Sequence, residues 1–174
     1  MPNVTAFSDL LAAARHSAVH LEMRDSYGIA AEAAEFEQFR RTGVHPDLDP
    51  EGAGWSGWVS MIRAAVARGV LVRRARIVSE PVTAYIRYEH AGTVVNLAAG
   101  EQVRWLARRS ASDLALPGND FWLFDGAIVR FNHFTGDGAS AGPEMRDEPH
   151  VAKLCADAFE AVWERAVPHE QYIL

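Results

Sequence analysis

Three side chains in the sequence could move protons in an acid–base reaction. Glu80 follows a strand-like segment, Asp125 belongs to an Asp-Gly pair, and His133 lies near the end of an apolar run. Acid–base catalysis needs such groups within hydrogen-bond reach of one substrate, so these are the candidate catalytic residues. Asp125 also fits a plain turn position, and His133 fits a polar group beside a sheet. We assign no catalytic residue, and the sequence favours a protein without enzymatic activity.

Arginine side chains in the middle of the chain are the main candidates for ligand binding. Residues 61–110 contain nine Arg and three acidic residues, although the whole chain has a net charge of −6. Ligands of open α/β sheets bind outside the carboxyl ends of the strands, which predicts a pocket for a small anionic ligand. The alternative is a structural network of ion pairs. The candidate ligand-binding residues are Arg76, Glu80, Arg104, Trp105 and Trp122.

No metal ion or cofactor is expected. The seven His residues are scattered without an HExxH or HxH arrangement. The glycine-rich segment 135–142 lacks the Lys of a Walker A loop. Cys155 is the single cysteine, which excludes an intramolecular disulfide, and its place on an apolar helix face predicts a buried thiol.

A β-hairpin is the element around which the others are arranged. FWLFDGAIVRFNHF, residues 121–134, consists of two apolar runs joined by Asp125-Gly126. An Asp-Gly pair is typical of a type I′ turn, because both central residues of that turn need a positive φ. We therefore place the centre of a sheet at this hairpin.

Helices and further strands precede and follow the hairpin. Apolar residues recur at helical spacing in residues 6–15, 29–41 and 55–66, in a segment that starts at 79–81, and in a final helix that Glu148-Pro149 opens. Strands are predicted at residues 17–24, 70–79 and 102–107. The last two are expected to pair in parallel, because a helical segment separates them.

These elements predict an α/β fold, with α+β as the alternative. We expect a single domain over residues 1–174, with a mixed sheet covered by helices. The segments near residues 43–54 and 135–147 are rich in Gly, Pro and polar residues, and they are predicted to be mobile loops.

Charge and the N-terminal sequence indicate where such a protein works. The acidic balance argues against direct binding to nucleic acid, although the basic middle leaves that option open. The N-terminal 17 residues lack the basic start and long apolar core of a signal peptide, and no apolar run approaches the length of a membrane span. These features predict a cytoplasmic protein that does not interact with membranes.

Five segments, spread over nearly the whole chain, carry a family likeness. They are FxxLxxxxRHSAxxLExRDxY (7–27), RRARIVSEPVTAYIRYE (73–89), AAGEQVRWLARR (98–109), DFWLFDGAIVRFNHF (120–134) and WERAVPHEQY (163–172). In this order they resemble the actinobacterial family of domains of unknown function numbered 6879. Members of that family often lie near helix-turn-helix regulators. The resemblance therefore implies an accessory role in regulation, with such a regulator as the protein partner.

A second resemblance is more remote. The segments RRARIVSE, RWL and FWLFDG are similar to one half of a phospholipase D-type domain. Such enzymes need an HxKxxxxD motif, whereas here Lys153 follows His150 at the wrong spacing. Together the resemblances imply a non-catalytic regulatory or interaction protein. A small-ligand or anion sensor and a small-molecule enzyme are the alternatives.

Overall fold

A computed structural model describes residues 5–174 of the chain. The first four residues of the N-terminal segment used to argue against a signal peptide lie outside the described residues. Residues 5–174 form five α-helices and seven strands. The helices are α1 (Phe7–Ala13), α2 (Ala33–Thr42), α3 (Ser56–Ala67), α4 (Ala84–Ala99) and α5 (Pro149–Arg165). The strands are β1 (Ser17–Glu22), β2 (Leu71–Val78), β3 (Gln102–Ala107), β4 (Asp120–Phe124), β5 (Ile128–Phe134), β6 (Ser140–Arg146) and β7 (Val167–Pro168).

The strands of the described chain form one mixed sheet in the order β6-β5-β4-β1-β2-β3-β7. β1, β2 and β3 are parallel, whereas β4, β5 and β6 form an antiparallel meander beside β1. β7 pairs antiparallel with the other edge of the parallel block. The predicted α/β class, mixed sheet and parallel pairing of β2 with β3 are confirmed.

The Asp-Gly turn between β4 and β5 is confirmed. Asp125 has φ of 50° and Gly126 has φ of 67°, as a type I′ turn requires. The carboxylate of Asp125 also accepts hydrogen bonds from the backbone N–H groups of Arg15, His16 and Ser17, at 2.9, 2.7 and 2.9 Å. One side chain therefore ties the hairpin turn to the start of β1.

Helices cover both faces of the sheet. α5 packs on one face, where Phe159 and Val162 meet Val19 and Leu21 of β1 in the larger apolar cluster. α3 and α4 cover the other face, with α1 packed against α3 and α2 against α4. Because side chains alternate across a strand, His20 and Glu22 point away from α5. They therefore lie beneath α3 and α4.

Helix α4 begins later than the sequence predicted. Its N-cap is Thr83, whose hydroxyl accepts a hydrogen bond from the N–H of Ile86 at 3.1 Å. Residues 79–83 are extended or bent instead of helical. The helix then runs without a break to Gly100, whose φ of 99° ends it. The sequence signal that marks the start of α4 is Thr83, an N-cap residue whose hydroxyl accepts from the N–H three residues later, and not Pro81.

The segment 135–147 was predicted as a loop, but most of it is strand β6. This strand pairs along β5 with a register shift between His133 and Phe134. Its sequence, SAGPEMR, has no apolar alternation. β6 therefore forms because its backbone pairs with β5 at the edge of the sheet, and not because of a strand pattern in its own sequence.

The C-terminal segment docks on the sheet. Val167 and Pro168 pair with β3, and the Tyr172 ring stacks on Trp105 with centroids 5.7 Å apart. Cys155 is fully buried on α5, as predicted, and burial raises the pKa of its thiol to about 11. Across the described part of the chain, no helix combines the length and apolar character that a membrane span requires.

Candidate ligand-binding site

The face of the sheet beneath α3 and α4 contains a cleft with two adjoining cavities. Their volumes are about 440 Å³ and about 230 Å³. Four residues line both cavities, which places them where the two meet: Glu32, Trp58, Arg74 and Glu89. The sheet strands provide the floor, and α3, α4 and the segment around Glu32 provide the walls.

Buried ion pairs form the floor of the cleft. Arg74 donates from Nε to Glu101 at 2.7 Å and from Nη1 to Glu22. Arg76 donates from Nε to the other oxygen of Glu22 at 2.6 Å, and its Nη2 lies 2.7 Å from Glu89. The result is a continuous chain of charges in which two guanidinium groups alternate with three carboxylates.

The sequence of β2 explains how both guanidinium groups reach one face. Arg74 and Arg76 are two residues apart, so they share a face, and Arg73 projects to the other. Arg73 accordingly pairs with Glu160 of α5, at 2.6 Å. In the parallel register Glu22 lies directly opposite Arg76, which places the carboxylate between the two guanidinium groups.

Polar groups of α4 complete the network. Asn96 donates to the second oxygen of Glu101 at 2.8 Å, and Arg76 donates to the hydroxyl of Thr93 at 3.1 Å. Burial alone would raise the pKa of Glu22, but Arg76 and Arg74 outweigh it and hold that pKa well below the ordinary value. The carboxylate of Glu22 is therefore charged at all moderate pH values.

Glu32 is the exception among the carboxyl groups of the cleft. It accepts a hydrogen bond from the hydroxyl of Tyr85 at 2.8 Å, and no guanidinium group pairs with it among residues 5–174. Burial, together with the negative charge of Glu89, raises the pKa of Glu32 from 4.5 to about 7. This carboxyl group therefore changes its protonation near neutral pH, a property that acid–base catalysts and titrating ligand sites share.

The raised pKa of Glu32 predicts a dependence of stability on pH. Between the pKa of Glu32 in the unfolded chain, 4.5, and its pKa in the folded protein, about 7, the folded state holds a proton that the unfolded chain has released. The protein is therefore most stable, as far as Glu32 is concerned, at low pH, and it loses this stability as the pH rises through about 7. We expect Glu32→Gln to become more stable relative to wild type by about 2 kcal/mol between about pH 5 and about pH 8. Urea unfolding at both pH values measures this difference.

The control for that experiment is Glu37→Gln, which neutralises an exposed carboxylate on α2. Its stability relative to wild type should change little with pH. A Glu32→Gln variant whose relative stability is the same at both pH values would contradict the assignment.

A second carboxyl group with a raised pKa lies in the smaller cavity. Asp120 accepts hydrogen bonds from the hydroxyl of Tyr27 and from the N–H of Met23, the latter at 2.9 Å. Burial raises the pKa of Asp120 to about 6, against the effect of the Tyr27 hydrogen bond. Burial also raises the pKa of Tyr27, so this hydroxyl remains a donor.

His20 lines the same cavity as Asp120, and its two ring nitrogens form no hydrogen bond within the described chain. The residue is 7% exposed, lines the smaller cavity and stacks on Trp122 with centroids 4.3 Å apart. Neither ring nitrogen has a hydrogen-bond partner among residues 5–174, although Nδ1 lies 3.3 Å from Glu22. Burial lowers the pKa of His20 well below its ordinary value, so the imidazole is neutral.

Aromatic rings form the walls of the larger cavity. Trp55, Trp58 and Tyr88 line it, together with His45, which stacks on Tyr88 with centroids 4.6 Å apart. Gly92 of α4 makes this arrangement possible, because a Cβ at that position would lie 3.0 Å from Nε2 of His45. Trp55 and Trp58 pack against the apolar cluster, and both also face the cavity.

The predicted ligand-binding residues are divided by the structure. Arg76 lines the larger cavity and Trp122 the smaller. Trp105 lies beneath Arg76, with the guanidinium 4.9 Å from the ring centroid. Arg104 projects to the opposite face, where it donates to the carbonyl of Trp163 at 2.9 Å, and Glu80 accepts from the hydroxyl of Tyr172 at 2.8 Å.

The three candidate catalytic residues lie apart from one another. Asp125 lies at the end of the sheet where β1 starts. Glu80 lies at the opposite end, because it follows the last residue of β2, which is parallel to β1. His133 lies on β5, 3.0 Å from Glu144, and three strand spacings of roughly 14 Å in total separate β5 from β2. None of the three lines either cavity.

Several residues of the cleft were not among the sequence candidates. Glu22 and His20 fall within a predicted strand, and Glu32 and Glu89 fall within predicted helical segments. The signal that was available is the pair of ionisable residues at alternate positions in both β1 and β2. Ionisable residues at such spacing on two adjacent parallel strands, which are covered on both faces, predict a buried polar site.

The comparison with protein families identifies the chain as a whole. A family model described as a domain of unknown function, DUF6879, matches residues 5–174. The chain belongs to the DUF6879 family. A comparison of this DUF6879 protein with curated proteins gave no match.

Among solved structures, the DUF6879 chain is similar to a phospholipase D family member, Nuc from Salmonella typhimurium. The TM-score is 0.48 and the sequence identity 15%, over 96% of this chain and 92% of that one. Within residues 5–174 of the DUF6879 protein, no group of three or more His, Cys, Asp or Glu is arranged to hold a metal ion.

Proposed function

We propose that this protein binds a small molecule in the cleft between the sheet and helices α3 and α4, without transforming it. The observation that carries the proposal is a pair of joined cavities whose floor is a buried network of ion pairs. The larger cavity, of about 440 Å³, falls within the size range of small-molecule sites.

Stability alone is a poor reason for such a network. Charges buried in ion pairs are often replaceable by apolar side chains without loss of stability, because desolvation offsets their attraction. Here two guanidinium groups and their carboxylate partners lie beside open cavity volume instead of a packed core. These fixed polar groups can replace the water around a bound polar ligand. Apolar side chains in their place could not, so ligand binding is a reason for the network to exist.

A side chain that blocks the cavity should abolish binding. Ala31 is exposed and lines the larger cavity, so Ala31→Trp adds bulk at its mouth without disturbing the core. We expect a library of small metabolites to contain compounds that raise the melting temperature of wild type but not of Ala31→Trp. Thermal-shift measurements on both proteins give the comparison.

The matched control is Ala34→Trp, which places the same side chain on an exposed site of α2 that lines neither cavity. It should retain every response of wild type. Compounds that stabilise all three proteins equally bind elsewhere, and a library without any Ala31-dependent compound counts against the proposed function.

A regulatory role is the second part of the proposal. The resemblance to proteins found near helix-turn-helix regulators favours an accessory of such a regulator, in which the occupied cleft alters a protein contact. Affinity purification of the tagged chain from its native host, followed by mass spectrometry, tests this. Recovery of a helix-turn-helix protein in stoichiometric amount supports the role, and recovery of the chain alone counts against it.

Acid–base catalysis is the alternative use of the same cleft. Glu32 and Asp120 have raised pKa values there, which catalytic carboxyl groups need. Conversion of a bound compound by wild type, lost in Glu32→Gln, would replace the binding-only function by an enzymatic one.

A further inference from the structure

We propose that the ligand of this cleft is an organic cation, with an ammonium or amidinium group held by carboxylates where the two cavities meet and an apolar part against the aromatic wall. This inference rests on the proposed small-molecule function and specifies the chemical class of the ligand. It also replaces the small anion that the arginine-rich sequence predicted.

The charges that line the cleft favour a cation. Among residues 5–174, five carboxyl groups but only two guanidinium groups line the cavities. Both guanidinium groups are already paired with carboxylates, and Glu101 adds a further carboxylate behind Arg74. An anion would meet a surplus of negative charge, whereas a cation would reduce it. The five carboxyl groups belong to Glu22, Glu32, Glu35, Glu89 and Asp120.

Within the described residues, unpartnered polar groups in the cleft offer a ligand both an acceptor, the imidazole of His20, and a donor, the indole N–H of Trp58. Nδ1 of this neutral ring lies 3.3 Å from the charged carboxylate of Glu22, so the tautomer with hydrogen on Nδ1 is favoured there. Nε2 then carries a lone pair, and no group among residues 5–174 donates to it. An N–H of a bound ammonium group would satisfy this buried acceptor.

The aromatic residues supply the second feature that a cation site needs. Trp58 lines both cavities, and Tyr88 and Trp55 line the larger. Ring faces attract cations, most strongly when water is excluded. The carboxylates of Glu32 and Glu89 border these rings, which matches a ligand with a charged end and an apolar body.

Protonation of Glu32 makes cation binding depend on pH. The carboxyl group becomes charged as the pH rises through about 7, so a cation should bind more tightly above that pH. Titratable and charged groups from each neighbouring element line the two cavities together with Glu32. They are Glu22 and His20 of β1, Arg74 and Arg76 of β2, Asp120 of β4, Glu35 of α2, Tyr85, Tyr88 and Glu89 of α4, and Tyr27 and His45 of the loops.

Three single-ring probes of the same shape but different charge test the inference. They are benzylammonium, benzyl alcohol and benzoate, each added to about 10 mM to detect weak binding. Indole N–H signals in NMR spectra of the ¹⁵N-labelled full chain report where they bind. Trp55 and Trp58 line the cleft, whereas Trp163 lies on the α5 face and serves as the internal reference.

We expect benzylammonium to shift the cleft signals and to bind about tenfold more tightly than benzyl alcohol or benzoate. Ala31→Trp should abolish the shifts, and Ala34→Trp should retain them. Between about pH 6 and about pH 8 the affinity should rise about tenfold in wild type and in Glu37→Gln, since the charged fraction of Glu32 rises by that factor. In Glu32→Gln the rise should fall to about twofold or less, which is the change in the charged fraction of Asp120 over the same pH range.

Two results would overturn the inference. One is benzoate binding in the cleft as tightly as benzylammonium, which leaves the proposed small-molecule function intact. The other is the absence of any benzylammonium shift at the cleft signals. In that case the function stands only if compounds of the metabolite library still stabilise wild type and Ala34→Trp but not Ala31→Trp.

Discussion

Glu22→Gln is expected to destabilise the protein by about 3–5 kcal/mol, because it removes the carboxylate that Arg74 and Arg76 share. The substitution keeps the volume of the side chain, so packing changes little. It leaves two buried guanidinium groups side by side without the carboxylate between them, and in the described part of the chain each keeps a single carboxylate partner, Glu101 for Arg74 and Glu89 for Arg76. For a domain of this length the melting temperature should fall by roughly 6–20 °C. Thermal unfolding followed by circular dichroism measures the change.

Glu160→Gln is the matched control, since it removes a carboxylate partner of the adjacent Arg73 on the α5 face. The side chain of Glu160 is 52% exposed, so this pair should contribute at most about 1 kcal/mol. Added salt should reduce the effect of Glu160→Gln and leave that of Glu22→Gln unchanged, because buried pairs are poorly screened. Equal effects of the two substitutions would show that the network is not buried in solution.

Trp105→Ala is expected to cost about 3–5 kcal/mol, as large aromatic truncations in a core do. Trp105 is 0% exposed, stacks on Tyr172 and donates from its indole nitrogen to Nδ1 of His169 at 3.1 Å. The ring also supports the guanidinium of Arg76. Its loss therefore leaves a cavity between the sheet, α4 and the C-terminal segment. Urea unfolding gives the free energy.

Leu154→Ala provides the comparison for Trp105→Ala. Leu154 is 44% exposed on α5, so its truncation should change the free energy of unfolding by about 0.5 kcal/mol. The Trp105→Phe variant should fall between the two, because the ring is largely retained and the hydrogen bond to His169 is lost. A Trp105→Ala protein as stable as Leu154→Ala would place the C-terminal segment away from the sheet.

Local signals in the sequence were enough to place most elements. Residues 102–107 were predicted as a strand and form β3 with the same bounds, and Val103 and Trp105 alternate there with polar residues. The hairpin at 121–134 followed from one Asp-Gly pair. β6 was missed because its residues carry no alternation and pair only through an existing edge. The start of α4 was misplaced because a Pro near Ser79 outweighed the capping Thr83.

For the site, the sequence by itself determined which side chains share a face. The spacing of Arg74 and Arg76, and of His20 and Glu22, places each pair on one side of its strand, whatever covers it. Only the tertiary structure decided that this polar side faces helices, that the carboxylate of Glu22 lies between the two guanidinium groups, and that Glu32 approaches from a distant segment. The reason is physical: pairing and desolvation arise from contacts between residues far apart in the chain. An ordinary Glu acquires a pKa of about 7 only where such contacts remove it from water.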